Sequence, residues 1–391
     1  MDGGITMPMM EPSALLMDQD LSAVHGGVAY LRDIERRLAP DFERAEPRQR
    51  AMSYVRGLLS PAARKHSWQL AAISGDATPD ALQHLRRRAL WDPEAVRDEL
   101  RHSSVQHLGD PEAVLVLDET GFLKKGRQSA GVARQYSGTA GKVDNCQIGV
   151  LLGDASPLGH ALLDRELYVP EEWTDDRERC QDAGIPADRH FATTPQLARQ
   201  MLARAFAAGV PAPWVTGDSV YGHDRRRRMW LEAQRQAYVL AVSGQESVWL
   251  GGQPRRITTL LAALPDDGWT RHSAGDGTKG PRWYDWRWLP WAEPLELDWR
   301  RWLLVRRSVS APHELQADVV FAPQATPLEE LVRVAGTRWT IAQLFEAAKG
   351  EVGLDHDEVR SWTGWYRHIT LAMWAMALLT VWRTGAMAVE T

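Results

Sequence analysis

Between residues 24 and 110 apolar positions recur three and four apart, and no stretch shows the strict alternation of a strand. VAYLRDIERRLAPDF, QRAMSYVRGLLS, HSWQLAAISG, PDALQHLRRRALW and DPEAVRDELRHSSVQHL therefore read as amphipathic helices, with proline suited to a first helical turn. They predict a helical first domain over 24–110, preceded by an irregular extension over 1–23. The run QHLRRR at 83–88 is either a solvated helix face or a surface for phosphate.

The pattern changes at AVLVLDETG (113–121), an apolar run that predicts a buried strand closed by acidic and turn residues. NCQIGVLLGD (145–154) and HALLDRELYVP (160–170) follow, so three strands with short connections are expected to form a sheet. TPQLARQMLARAFAAG predicts a helix ended by Gly209, and PAPWVTGDSVYG predicts another strand ending in an acid. RRRRMWLEAQ then reads as a helix and AYVLAVSG as a strand.

From 244 to 325 the chain is rich in Trp, Gly and Pro and ends in the strand pair RRWLLVRRSV and QADVVFAP, which predicts a β-rich insertion. The remainder is helical, through LEELVRVAGTRWTIAQLFEAAKGEVGLD and SWTGWYRHITLAMWAMALLTVWRTG. The expected fold class is α/β: a helical domain, a core over 111–243 and 326–383, the insertion over 244–325, and a tail over 384–391.

With 391 residues the chain is long enough for two or three packed units. Its formal net charge of −5 argues against a uniformly basic DNA-coating protein, although a local basic stripe would still neutralise phosphates. The two cysteines cannot build a disulfide framework, and no Cys/His spacing suggests zinc. The acidic, proline-bearing start is unlike a signal peptide, and the apolar run at 369–382 is too short to span a membrane. A cytoplasmic protein without zinc or membrane partners is expected. The 18 Trp against 6 Phe raise a choice between core filling and stacking against partners.

The chemically suggestive residues are Asp118 and Asp218, each expected at the end of an apolar strand. Two carboxylates on neighbouring strands can share divalent metal for phosphoryl transfer; each can equally be a turn or cap residue. The stretches LDETGFLKKG, GVARQYSGTAGKVDNCQIGV, GHALLDRELYVPEEWTDD, WVTGDSVYG, TKGPRWYDW, LVRVAGTRWTIAQLFEAAKGEVGLD and RSWTGWYRHITLAMWA resemble the IS701 family of insertion-sequence transposases, relatives of the IS4-type group. The resemblance runs from about residue 24 to 383. It implies an RNase H-like catalytic core interrupted by the insertion, a helical DNA-binding domain, Mg²⁺ or Mn²⁺, and a homodimer acting on double-stranded transposon ends.

By that resemblance Asp118 and Asp218 are the first two acids of a DDE triad and the metal ligands. The family's third acid belongs to a helix reading R-W-x-I-E, with a lysine seven residues on. This chain has Arg338, Trp339, Thr340, Ile341, Ala342 and then Lys349, so alanine stands where the carboxylate is expected. Alanine cannot bind metal, and both metal binding and catalysis are expected to be weakened. Glu346, one turn further along, is a poor substitute, and Glu351 is further off register. The family also favours an acid after the second Asp and a tyrosine after L-D-H, where Ser219 and Asp357 stand.

The resemblance further assigns Tyr221, Arg338 and Lys349 to phosphates near the cleaved bond; ion pairing with local carboxylates is the alternative. Lys124 and Lys125 after the first acid, and the run from Arg225 to Arg228 after the second, are expected to border the same sheet edge. Seven Trp between 269 and 302 are interspersed with arginines, and Trp283 and Trp286 are the candidates for base stacking. Three functions fit: an active transposase, a domesticated DNA-binding or regulatory protein with a deficient site, and a transposase fold turned to other enzyme chemistry.

Overall fold

A computed structural model describes residues 29–250, 252–277, 280–291, 298–356 and 358–385. The expected extension over 1–23, the end of the tail and Asp357 lie outside the described residues. The helical pattern of the first hundred residues becomes α1 (29–37), α2 (Ala45–Leu58), α3 (Ser67–Ile73), α4 (Asp80–Arg87) and α5 (Pro93–Leu108). Asp92 caps α5 by accepting from Glu94 N at 2.9 Å, next to the proline that begins it. Apolar faces of these helices, including Leu58, Leu70, Leu85 and Leu100, are buried.

The next strands are β1 (Val114–Leu123), β2 (Ala133–Ser137), β3 (Lys142–Ser156) and β4 (Gly159–Tyr168). After α6 (Glu171–Thr174), α7 (Arg177–Asp182) and α8 (Thr194–Ala207) come β5 (Trp214–Gly217), α9 (Ser219–Gly222), α10 (Arg225–Ala233) and β6 (Ala237–Val242). The β-rich region over 244–325 contributes β7 (Ser247–Leu250), β8 (Gln253–Arg256), α11 (Ile257–Ala262), β9 (Thr270–Gly277), β10 (Gly280–Pro290), β11 (Trp299–Ser308) and β12 (Leu315–Pro323). Two long helices end the chain, α12 (Leu328–Val352) and α13 (Trp362–Thr384).

The fold is mixed α/β, with a central mixed sheet flanked by helices. Its strand order is β2-β3-β1-β5-β6-β12-β11-β10-β9, with β4 also on β3. β1 is antiparallel to β3 and parallel to β5, and β5 is parallel to β6. β12 pairs antiparallel with β6, so the main strands of the 244–325 region continue the same sheet instead of stacking on it.

Alternation along the strands settles which helices cover which face. On β4, Arg165 donates to Thr370 of α13 at 3.0 Å, while Asp164 and Glu166 on the other face accept from Arg204 of α8 at 2.8 Å each. On β3, a Cβ added at Gly153 would meet Ile341 of α12 at 2.7 Å, and one at Gly149 would meet Trp365 of α13 at 3.0 Å. Gly153 is opposite Val116, Leu151 opposite Asp118, and Gly149 opposite Thr120. Asp118 thus belongs to the sheet face that α12 and α13 cover. The apolar run at 369–378 is buried throughout as the core of α13.

Candidate active site: two aspartates beneath α12

The sequence predicts that the first strand stops near Asp118; it continues to Leu123. The fifteen-residue β3 pairs with it along this whole length, through Leu123↔Cys146. On its other side β5 stops at Gly217, opposite Leu117, so Asp118 is the first β1 residue beyond the parallel ladder. Asp218 follows Gly217 directly. The register therefore sets the two aspartates side by side on adjacent strands, whose spacing is about 4.8 Å.

Asp218 does not extend β5. It caps α9, its Oδ1 accepting from Val220 N at 2.9 Å. This turn lies hard against β6, because a Cβ at Gly222 would sit 1.7 Å from the Ala241 carbonyl oxygen. Glycine is required there for close approach rather than for an unusual φ. One residue earlier, Tyr221 is buried and its hydroxyl donates to Glu119 Oε2 at 2.5 Å.

Three acids consequently act on one another. Burial first, then the charge of Glu119 and, more weakly, that of Asp218 push the Asp118 carboxyl up to about 7, against lowering by the Glu119 backbone N–H and the Arg338 guanidinium. Glu119 is also raised, mainly by burial, with its tyrosine hydrogen bond acting the other way. Crowded, partly desolvated oxygen donors of this kind suit one hard divalent cation. Among the described residues, however, no group of three His, Cys, Asp or Glu side chains is arranged to hold a metal ion.

The helix above β1 brings a row of residues to this face. Arg338 donates to Asp318 of β12 at 3.3 Å and is close enough to act on Asp118. At the other end of the row, Lys349 Nζ donates to the Gly121 carbonyl at 3.1 Å and to Thr139 Oγ1 at 2.7 Å. Burial lowers the Lys349 pKa. Ala342 lies one turn from Arg338 and two turns from Lys349, about 6 and 10 Å along the axis. It is exposed, as is Glu346, while Ile341, Leu344 and Phe345 turn inward.

The other predicted DNA contacts divide. Lys125 and Arg225 are exposed and Lys124 is half-buried. The arginine run does not present a continuous basic face: Arg225 and Arg226 are outside, whereas Arg227 and Arg228 are buried. Arg228 donates to the Gly222 carbonyl at 2.6 Å and to Glu246 at 3.0 Å. Arg227 lies over the Tyr221 ring at 5.1 Å, and burial brings its pKa down to about 10. Helical periodicity turns neighbouring arginines to opposite sides, which the bare charge run conceals.

In the insertion, Trp283 is 54% exposed, but Trp286 is fully buried and donates its indole N–H to the His272 carbonyl at 3.2 Å. Trp286 therefore packs the sheet and offers no open face to a base in this structure. Much of the Trp/Arg interleaving is internal: Trp288 stacks on Trp302 at 5.3 Å, and Arg307 lies over Trp269 at 4.4 Å. Tyr221 is likewise enclosed. Glu119, Thr139 and Asp318 were not singled out in the sequence; only Glu119, beside Asp118 in LDET, carried a usable signal.

Residues 37–259 match the family described as DDE superfamily endonuclease, more than half of the chain. The matched span includes both aspartates and ends before α12. A probable transposase for insertion sequence element IS701 from Microchaete diplosiphon is 30% identical over 141 residues, which cover 34% of this chain and 33% of that protein. The chain thus spans about a third of the length of that curated relative. On the family match, together with the paired aspartates inside it, this chain belongs to the DDE superfamily endonucleases.

Proposed function

We propose that this chain is a transposase-like DNA-acting protein whose strand-cleaving site is impaired by Ala342. The observation that carries the reading is the β1/β5 register, which leaves Asp118 and Asp218 adjacent, under the α12 row that runs from Arg338 through Ala342 to Lys349. The strand sequence β4-β3-β1-β5-β6, antiparallel on one side of β1 and parallel on the other, supports an RNase H-like core over 111–243 and 326–383. Residues 24–110 are the DNA-binding unit and 244–325 the insertion in this reading.

Asp118 and Asp218 would hold a Mg²⁺ or Mn²⁺ ion, with Glu119 as a neighbouring acid. When bound, such ions activate the attacking oxygen and stabilise the leaving one in phosphoryl transfer. The chain's own contribution is positional. Tyr221 and Gly222 fix the turn that presents Asp218, and the Arg338 guanidinium offsets the negative charge around Asp118. Arg338 and Lys349 are suited to steady phosphates, with Lys124, Lys125, Arg225 and Trp283 as outer contacts. Ala342 supplies no ligand, so a second metal ion at this site would be weakly held.

Ala342 also favours a second reading, a domesticated DNA-binding or regulatory protein that has kept recognition and lost turnover. Nicking of supercoiled DNA carrying the two flanks of this gene, assayed with and without Mg²⁺, separates the two. Slow metal-dependent nicking abolished by Asp118→Asn supports the impaired enzyme; tight binding with no nicking supports the regulator. A chain that neither binds nor nicks DNA at low salt refutes both.

A further inference from the structure

Away from the aspartates, a cleft of about 630 Å³ opens where four remote chain segments meet. α4 provides Arg86 and Arg87, the loop after β1 provides Arg127, and Arg179 and Arg360 come from α7 and the segment before α13. Five arginines thus line it against two carboxylates, Asp182 and Glu358. This concentration of positive charge contrasts with the net charge of −5 for the chain.

The cleft is rigidly assembled. Ala130 N donates to the Arg360 carbonyl and Trp362 N to the Ala183 carbonyl, each at 2.8 Å, tying its walls together. Arg179 lies over the Trp173 ring at 3.7 Å and donates to the Arg127 carbonyl at 3.2 Å. Arg360 donates to Gln128 at 2.7 Å. Their partners are neutral. Among the described residues, Arg87, Arg127, Arg179 and Arg360 form no ion pair with a carboxylate, whereas Arg37, Arg97, Arg165, Arg204 and Arg301 all do. Preorganised guanidinium groups without carboxylate partners are suited to phosphate oxygens.

We propose that this cleft binds the phosphate backbone of duplex DNA at a point separate from the cutting site. The inference rests on the DNA-acting reading and gives it a second, distant grip. β1 links the two places: Leu123 is five residues beyond Asp118, about 17 Å at ~3.4 Å per residue, and the chain then passes through Lys124 and Lys125 to Arg127. A duplex advances ~3.4 Å per base pair, so the cleft is placed to engage backbone about five base pairs from the bond at Asp118. It also joins α4 of the helical unit to the core, so one bound duplex spans both.

The test is equilibrium binding of a duplex taken from the gene's flank, measured by fluorescence anisotropy over a salt series. The full chain is compared with a triple variant, Arg87→Ala, Arg127→Ala and Arg360→Ala, and with the same three positions changed to Lys. Loss of up to three phosphate contacts lowers the slope of log affinity against log salt by about 2–3 and the low-salt affinity at least tenfold, while the Lys variant keeps most of both. Should the triple Ala variant fail to fold, Arg87→Glu, at a single exposed position, reads the same loss. Equal affinity and slope in the parent and Ala variants overturn this inference and leave the DNA-acting reading standing. A parent chain that binds no duplex at low salt overturns that reading as well. Pyrophosphate that stabilises the parent but not the Ala variant, with DNA binding equal in both, makes the cleft a small-anion site and also overturns the proposal.

Discussion

Replacing Asp118 with Asn is expected to stabilise the protein by an amount that grows as pH rises from 3.8 to about 7. In the folded chain burial and the neighbouring Glu119 and Asp218 charges hold the Asp118 carboxyl near 7, against 3.8 for an unperturbed aspartate. The folded state therefore takes up this proton more readily than the unfolded one. Relative to a permanently charged carboxylate, its contribution is fully present below pH 3.8, declines as pH rises and is lost above about 7. At ~1.4 kcal/mol per pH unit the interval from 3.8 to about 7 corresponds to a native-state cost of about 4 kcal/mol at pH 8. Residual solvent contact at Asp118 makes this a ceiling, and a gain of about 1–4 kcal/mol from Asn is expected. Asn can still accept the Glu119 N–H that the carboxylate accepts at 2.8 Å. Urea unfolding at pH 5 and pH 8 reads the effect: the variant's advantage should be clearly larger at pH 8. Mg²⁺ should stabilise the parent at pH 8 and the variant less. An Asn variant no more stable than the parent at pH 8, or one equally stabilised at both pH values, would refute the electrostatic account.

Gly222→Ala should cost at least about 3 kcal/mol in urea unfolding, since its Cβ would meet the Ala241 carbonyl oxygen at 1.7 Å and force α9 from β6. A variant with unchanged stability would show that the turn relaxes freely. Asp164→Ala should lower stability by about 3–5 kcal/mol, because this fully buried carboxylate holds Arg97 and Arg204, each at 2.8 Å. Chemical unfolding checks it, and a loss below about 1 kcal/mol would be contrary to a buried network. Arg338→Ala should weaken duplex binding at low salt while leaving the circular dichroism spectrum unchanged; undiminished affinity would confine Arg338 to its Asp318 ion pair.

Much of this architecture was legible because periodicity reports which face of an element is apolar. The helices over 29–108, the strands containing LLGD and LLDREL, and the buried α13 all follow from it. The length of β1 did not, since Asp, Glu, Thr and Gly look like a strand end unless one knows that β3 pairs beside them to Leu123. Pairing partners are tertiary information. The same limit explains Trp286, whose aromatic and arginine neighbours suggest a stacking platform until the neighbouring strands enclose it. Charge runs misled at Arg227 and Arg228, where helix phase turns two of four arginines inward. Asp118 and Asp218 could be singled out by residue type, but their adjacency depends on a parallel register between strands a hundred positions apart. Glu119 entered the site through Tyr221, a contact made only when α9 folds under β1.

In the proposed function, a missing carboxylate at position 342, and not a misplaced fold, limits the chemistry. Alanine has the highest helix propensity, and Ala342 is exposed on a twenty-five-residue helix, so Ala342→Glu should leave the fold unchanged. The direct measurement is the Mg²⁺-dependent nicking rate of gene-flank DNA by the parent chain and by Ala342→Glu, with Asp218→Asn in each background. A recovered ligand is expected to restore about 3 kcal/mol or more of transition-state stabilisation, at least a hundredfold in rate, and Asp218→Asn should abolish the gain. Equal nicking rates in the parent and Ala342→Glu proteins, with both folded and both bound to DNA, would contradict the account.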